Sequence, residues 1–351
     1  MEIDDAKACI DKIIAKARVH LYKPIQIAEI LHRKRIHGDL ELDVLESYRS
    51  PSKKWRDVVC YRFLGRTSTS SAKYQDDLFN DNAVPPAAIV ALGEENMEKD
   101  GIVEAYIYNR FRERYGQMTG ALNYCRESSP EDFVLADFLD LFWREPGLRR
   151  SIDKIYEIVV YSLFSVLVDE LGVQISVSLD PSKMDILKEF EDFAKKVICI
   201  DSSSSEFTGP ASINRVGVTN AADRGLDMWA NFGPSIQIKH LSLNEGLAEE
   251  IVGTVTSDRI VIVCKDSDEQ VITSLLSQIG WRSRIQSIVT ISELSNWYEK
   301  ALRGNYSEAI GEKLLQVIRE EIQLEFPTSD DSDFMEFFRG RRYHELEDAS
   351  W

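Results

Sequence analysis

Apolar positions in the first 145 residues recur mainly at helical spacing. Residues 4–17 and 24–35 each carry a stripe at three- and four-residue intervals, and Pro24 suits a first helical turn. Between Arg49 and Pro86 the pattern lapses into a polar, irregular stretch that contains RTSTSSAKYQDD. Helical spacing returns at 87–99, 101–115 and 130–142, and Pro146-Gly147 then punctuates the chain.

The second part has a different rhythm. SIDKIYEIVVYSLFSVLVDELG (151–172) reads as a long buried helix stopped by Gly172, and VQISVSLD (173–180) as an alternating strand. An amphipathic helix at 181–196, a short strand VICID (197–201) and a loop SSSSEFTGPASIN (202–214) follow. GLDMWANFGPSIQIKHLSL (225–243) reads as a hairpin turned at Asn231-Phe232-Gly233-Pro234. Helix at 244–252, strand at 259–265, helix at 267–280, strand at 287–291, helix to 324 and an acidic tail complete the pattern. Strands alternating with helices predict an α/β fold, with a mixed central sheet flanked by helices and a mostly helical N-terminal region. The expected division is 1–147, a basic, mostly helical region; 148–292, the sheet domain; and 293–351, a helical extension with the acidic tail.

Composition narrows the classes. At 351 residues and 44% hydrophobic, the chain has enough apolar material for two packed cores. The net charge of −17 speaks against a uniformly basic nucleic-acid binder, yet phosphate is bound by a local face. Residues 7–37 hold eight Lys/Arg against two acids and 49–75 hold seven against one, whereas 325–351 holds eight acids and three Arg. Five scattered cysteines without a C-x-x-C indicate neither a zinc ribbon nor a disulfide framework. An acidic N-terminus unlike a signal peptide, and no apolar run near the roughly 18 residues that span a bilayer, lead us to expect a soluble, cytoplasmic protein.

The chemistry concentrates in the hairpin. Strand side chains alternate faces, so Gln237 and Lys239 point away from Ile236 and Ile238, and Asp227 points away from Leu226 and Met228. Paired strands bring a carboxylate, an amide and an ammonium onto one polar patch. Phosphodiester hydrolysis calls for this set: Asp227 and Gln237 offer hard oxygens to Mg²⁺, and Lys239 orients water or phosphate. Taken singly, a Q-I-K strand is an ordinary solvated face, and the weight lies in the convergence.

The pattern Asp–x9–Gln–x–Lys after a long helix resembles the PD-(D/E)XK nuclease superfamily, whose core is a helix, a three-strand meander, a helix and a further strand. Longer strings, ARVHLYKPIQIAEIL (17–31), SPSKKWRD (50–57), GRTSTSSAKYQDDLF (65–79) and DRGLDMWANFGPSIQIKHLSL (223–243), are similar to the HaeII-type restriction endonucleases, and the likeness spans most of the chain. The resemblance implies Mg²⁺-dependent double-strand cleavage of DNA at a short palindromic GC-rich site, RGCGCY. It also implies a cognate methyltransferase as functional partner, and a two-fold homodimer is the simplest match to a palindrome. Two departures stand out. Gln237 replaces the usual acid before x–Lys, and Leu226 replaces the proline before Asp227. Glu157, mid-helix in IDKIYEIVV, is the candidate for the missing acid; paired with Lys154 it is equally a surface residue. Asp223 and Asp180 are rivals to Asp227.

Lys53, Lys54, Arg56 and Arg66, with the hydroxyls of Thr67–Ser71 including Ser70, are the candidate DNA contacts. A charged loop anchored by Trp55 is the alternative. The five histidines have no metal-ligand spacing, and Arg339-Gly340-Arg341-Arg342 reads as a surface feature. No phosphate-binding glycine loop, dinucleotide fingerprint or nucleophile elbow is present. Beside the nuclease stands a reading from another class, a non-catalytic DNA-binding protein that keeps a degenerate nuclease fold, which Gln237 favours.

Overall fold

Residues 1–17, 20–67, 78–216, 226–255, 257–265, 284–326, 331–346 and 351 are described by the computed structural model. The chain divides into two units, one containing Met1–Tyr156 and Ile318–Trp351, the other Glu157–Val216 and Asp223–Val317.

The first unit is helical: α1 (Ile3–Lys16), α2 (Tyr22–His37), α3 (Pro51–Leu64), α4 (Pro86–Glu98), α5 (Ile102–Glu127) and α6 (Leu135–Arg144). Helix α3 corrects the irregular stretch expected after Arg49. Pro51 opens it, and Gly65 closes it in the left-handed region at φ 62°. Its inward positions are Ser52, Arg56, Val59, Cys60 and Phe63. Two of these are polar, so hydropathy alone conceals a helical stripe that is present in the burial pattern.

The second unit begins in α7 (Ile152–Glu170), after which Gly172 turns the chain at φ 58°. Strand β1 (Gln174–Ser178) pairs antiparallel with β2 (Glu206–Pro210), forming a separate two-stranded ribbon. The expected strand at 197–201 is not one: the run from Met184 stays helical to Ile198, and Cys199 ends it at φ 66°. The strand partner of β1 comes instead from the segment read as a loop. Pairing and packing therefore override the β preference of Val197 and Ile198.

The main sheet has the order β3 (Ile213–Arg215), β4 (Met228–Ala230), β5 (Ser235–Lys239), β6 (Ile260–Cys264) and β7 (Ile285–Thr290). The first three strands form an antiparallel meander, and β6 and β7 add in parallel. Helix α8 (Glu245–Thr254), capped by the Asn244 side chain on the Leu247 amide, carries the crossover from β5 to β6. Its Ala248 and Ile251 pack with Ile260, Ile262, Cys264 and Ile285. Every residue of β6 is buried, which explains why that strand reads as an unbroken apolar run. A capping box of Thr290 and Glu293 starts α9 (Ile291–Arg303), whose Tyr298 hydroxyl donates to the Val159 carbonyl of α7 at 2.8 Å. Helix α10 (Ser307–Glu325) follows. The segment expected at 267–280 lies outside the described residues.

The expected acidic tail is core. In α11 (Asp331–Gly340) and just beyond it, Phe334, Phe337, Phe338 and Tyr343 are buried in the same cluster as Ile10, Ile27, Phe63 and Tyr108. Asp333 is half-buried and Glu336 exposed, while the aromatics recur at helical spacing. Arg341 is also no surface residue. It donates to both carboxylate oxygens of buried Glu29 at 2.5 and 3.0 Å, and Tyr108 donates to the same carboxylate at 2.5 Å. Tyr343 donates to buried Glu104 at 2.6 Å, and Glu104 also receives Arg35, Asn96 and the His32 ring.

Burial alone would raise the Glu104 carboxyl, but the hydrogen bonds from His32, Arg35 and Tyr343 outweigh it and hold the group down at about 2, from an ordinary value of 4.5. A carboxyl depressed on folding stabilises the protein fully above its unfolded value and loses that contribution as it protonates. The first unit should therefore lose stability as pH falls from about 4.5 toward 2. Glu104→Gln should cost on the order of 3 kcal/mol near neutrality by leaving Arg35 short of its partner, and should flatten the acid limb. Urea unfolding at several pH values checks both, and an unchanged acid limb in the variant would assign it to other groups.

Candidate active site

Alternation along β5 turns Ile236 and Ile238 to one face with Met228, and Gln237 and Lys239 to the other. Met228 stands opposite Ile236 in the antiparallel register. Asp227, one residue before the start of β4, is thereby brought level with Gln237. Its backbone carbonyl still accepts from Val216 at 2.9 Å, continuing the meander. Its side chain does something a strand residue does not ordinarily do. One carboxylate oxygen accepts the Ile238 backbone N–H at 2.7 Å and the Gln237 side-chain N–H at 2.5 Å. The carboxylate thus stands in for a main-chain acceptor where β4 leaves β5.

That geometry fixes the Gln237 amide. An ionised carboxylate only accepts, so the nitrogen of the amide must face it and the oxygen must face away. Gln237 is 3% exposed, and its Oε1 is buried without a hydrogen-bond partner among the described residues. An orphaned buried acceptor costs about 1–3 kcal/mol, so its retention points to a ligand that the oxygen would meet. Lys239 is half-buried, in register with Cys264 of β6, and shares the face of Gln237 by the pleat. Asp227 and Gln237 therefore meet, and the pleat sets Lys239 on their face of the strand.

Glu157 is placed differently. It is buried in α7, and its carboxylate lies 3.9 Å from the guanidinium of Arg215, itself buried on β3. Arg215 pairs with Met228, and so belongs by the pleat to the face opposite Gln237. Arg215 itself was hidden in the sequence, because its segment reads as a loop. The rival Asp180 is exposed and caps a turn by accepting from Ser182, while Asp223 lies outside the described residues. Among the described residues no group of three or more His, Cys, Asp or Glu is arranged to hold a metal.

The candidate DNA contacts divide as well. On α3, Lys54 is exposed and Lys53 half-buried. Arg56 turns inward, to Asp57 at 2.6 Å and to Gln26 at 3.2 Å. The Arg66 guanidinium bonds to the carbonyls of Leu324 and Glu325 and to the His20 ring. Each of these two arginines thus has internal partners. Ser70 lies outside the described residues. No described helix is long and apolar enough to cross a membrane.

No solved structure matches the chain. The type II restriction enzyme HaeII of Haemophilus aegyptius is 60% identical over 347 residues, covering 99% of each chain. The type II restriction enzyme NgoBI of Neisseria gonorrhoeae is 54% identical over 344 residues, covering 98% of this chain and 97% of the relative. A sequence model of the HaeII restriction endonuclease matches residues 6–343, nearly the full length. With matches of that identity and extent, the chain belongs to the HaeII restriction endonuclease family.

Proposed function

We propose that this restriction endonuclease makes Mg²⁺-dependent double-strand cuts in DNA at the patch formed by Asp227, Gln237 and Lys239. The target we propose is a short palindromic GC-rich site of the RGCGCY type, with a cognate methyltransferase shielding the host's own copies. The observation that carries the site is the buried Gln237 oxygen, unpartnered among the described residues, on the amide that bonds the Asp227 carboxylate.

These two side chains fit the ion. One anionic and one neutral oxygen from the protein are within the ordinary range of Mg²⁺, which retains waters and takes substrate phosphate oxygens. When bound, the ion supplies positive charge to the scissile phosphate and lowers the pKa of a water. The chain's own contribution is positioning. The Ile238 amide and the Gln237 nitrogen hold the Asp227 carboxylate in one orientation, and that carboxylate in turn aims the Gln237 oxygen. Lys239 supplies a cation on the same face, suited to steadying the attacking water or the charge that builds on the phosphate. In this reading Glu157 holds Arg215 rather than the ion. We assign the helical first unit to DNA recognition, with Lys53 and Lys54 on phosphates and Arg56 and Arg66 supporting the segment from within.

Asp227→Ala and Lys239→Ala should each lower plasmid cleavage by about 10³-fold or more, while binding to a cognate duplex in Ca²⁺ stays within a few-fold. Normal cutting by both variants would refute the site. Glu157→Gln should lose on the order of 3 kcal/mol of stability, by leaving Arg215 buried without its counter-charge, and keep its cleavage rate below the new melting point. A fully stable but inactive variant would return Glu157 to the site. Lys53→Ala with Lys54→Ala should weaken DNA binding and reduce the slope of log K against log salt by about 2. An unchanged slope removes that segment from the interface.

A further inference from the structure

Antiparallel partners point to the same side of a sheet, so the register of the meander extends the face that carries the site. Trp229 stands opposite Asn214 of β3 and Ser235 of β5. By the pleat it shares a face with Gln237 and Lys239, and it lies two residues after Asp227. Met228 and Ala230, its neighbours in β4, point to the other face and are 0 and 5% exposed, whereas Trp229 is 44% exposed. Yet β4 is an inner strand, lying between β3 and β5. A large apolar side chain on such a strand is ordinarily covered by a packed layer. Helix α8 supplies that layer over β6, two strands away, where Ala248 and Ile251 pack with Ile260 and Ile262.

A lone exposed apolar residue needs no explanation, but the position of this one does. Side chains two residues apart on one strand face stand about 7 Å from each other, so the indole adjoins the paired Asp227 and Gln237 side chains. The charges beside it suit a phosphate: Lys239 is a cation, and Asp227 meets phosphate through the ion. Ring and polar patch form one continuous surface, so whatever covers the ring also covers the patch. A protein partner seated there would shut the site. A DNA backbone placed with a phosphate at Asp227 covers both, and its sugars are the apolar element that a ring would meet.

We propose that Trp229 is a substrate-contact residue of the cleavage site, with its indole packed on the deoxyribose next to the scissile phosphate. The inference rests on the nuclease reading above and adds a residue to it. The indole offers a rigid apolar surface and a single N–H donor, which suits it to a sugar and an adjoining phosphate oxygen. Contacts to sugar and phosphate set the register of a duplex on the protein without reading its sequence. Trp229 therefore fixes where the backbone lies relative to Asp227 and Gln237, and the choice of bases falls to other residues.

The test is acrylamide quenching of tryptophan emission from the full-length protein, alone and with a duplex spanning a mapped cleavage site in Ca²⁺. The difference between wild type and Trp229→Phe isolates the emission of Trp229 from that of the other tryptophans. That difference should be readily quenched in the free protein, and its quenching should fall at least twofold on the duplex. In cleavage of the same duplex with Mg²⁺, Trp229→Ala should raise KM by roughly tenfold with a much smaller change in kcat, because a sugar contact is made in the ground and transition states alike. Trp229→Phe, which restores a ring, should recover most of that loss. A Trp229 signal that stays quenchable on the duplex overturns the proposal, as does a folded alanine variant with the wild-type KM. Should the alanine variant unfold, the quenching comparison decides alone. The nuclease reading is judged separately. Asp227→Ala cutting at the wild-type rate refutes that reading and this inference with it. An inactive Asp227→Ala beside an unprotected Trp229 leaves the nuclease standing and removes only the ring contact.

Discussion

A side-chain carboxylate occupies a main-chain position in this sheet, and the arrangement of the candidate site depends on it. Where β4 leaves β5, the Ile238 N–H would lose its acceptor. Asp227 supplies one, and the same oxygen takes the Gln237 amide. Because an ionised carboxylate cannot donate, that single contact decides which end of Gln237 faces the strand and which faces away. The pleat then puts Lys239 on the same side. Removing the carboxylate would release the ladder, the amide orientation and the anionic oxygen together. A structural role and a functional one therefore coincide in one residue, which is common where a polar group must be held still inside a sheet.

The apolar half of the pleat does the complementary work. Met228, Ile236 and Ile238 are buried on the face where Arg215 meets Glu157, while α8 packs against Ile260, Ile262 and Cys264 on the other side of β6. The order helix, three-strand meander, helix, parallel strand appears as α7, β3–β5, α8 and β6. The ribbon of β1 and β2 with its helical run is inserted between the first two of these elements. In the first unit the comparable constraint is ionic. Glu29 and Glu104 are buried carboxylates, each met by a buried or half-buried cation and a tyrosine hydroxyl. Such clusters contribute little net stability compared with apolar packing, but they permit few alternative arrangements once their partners are fixed.

Much of this was legible in the chain itself. The hairpin with its turn at 231–234, the long helix α7, the crossover α8 and the buried strand β6 follow from period, glycine placement and apolar runs, and each is present. The convergence of Asp227 with Gln237 follows from alternation and the turn, both local properties. What failed did so for identifiable reasons. Helix α3 is concealed because Ser52 and Arg56 occupy inward positions, where Arg56 meets its neighbour Asp57 and the distant Gln26. Residues 197–201 have strand-like composition, but β1 found its partner in 206–210. The acidic C-terminal segment hides its aromatics among charges such as Glu336 and Arg339, which are exposed.

The sequence by itself determined the periods: which residues share a face of β5, where the helices stop, and how much of the chain an established family covers. These are properties of neighbours along the chain, set by backbone geometry that any fold must respect. Only the tertiary structure decided the partners. It joined Glu157 to Arg215, turned Arg56 and Arg66 inward, brought Arg341 to Glu29 and left the Gln237 oxygen without a hydrogen bond among the described residues. A polar side chain has many acceptable partners, and which one it meets is fixed by residues distant in sequence, so no local pattern could have assigned them.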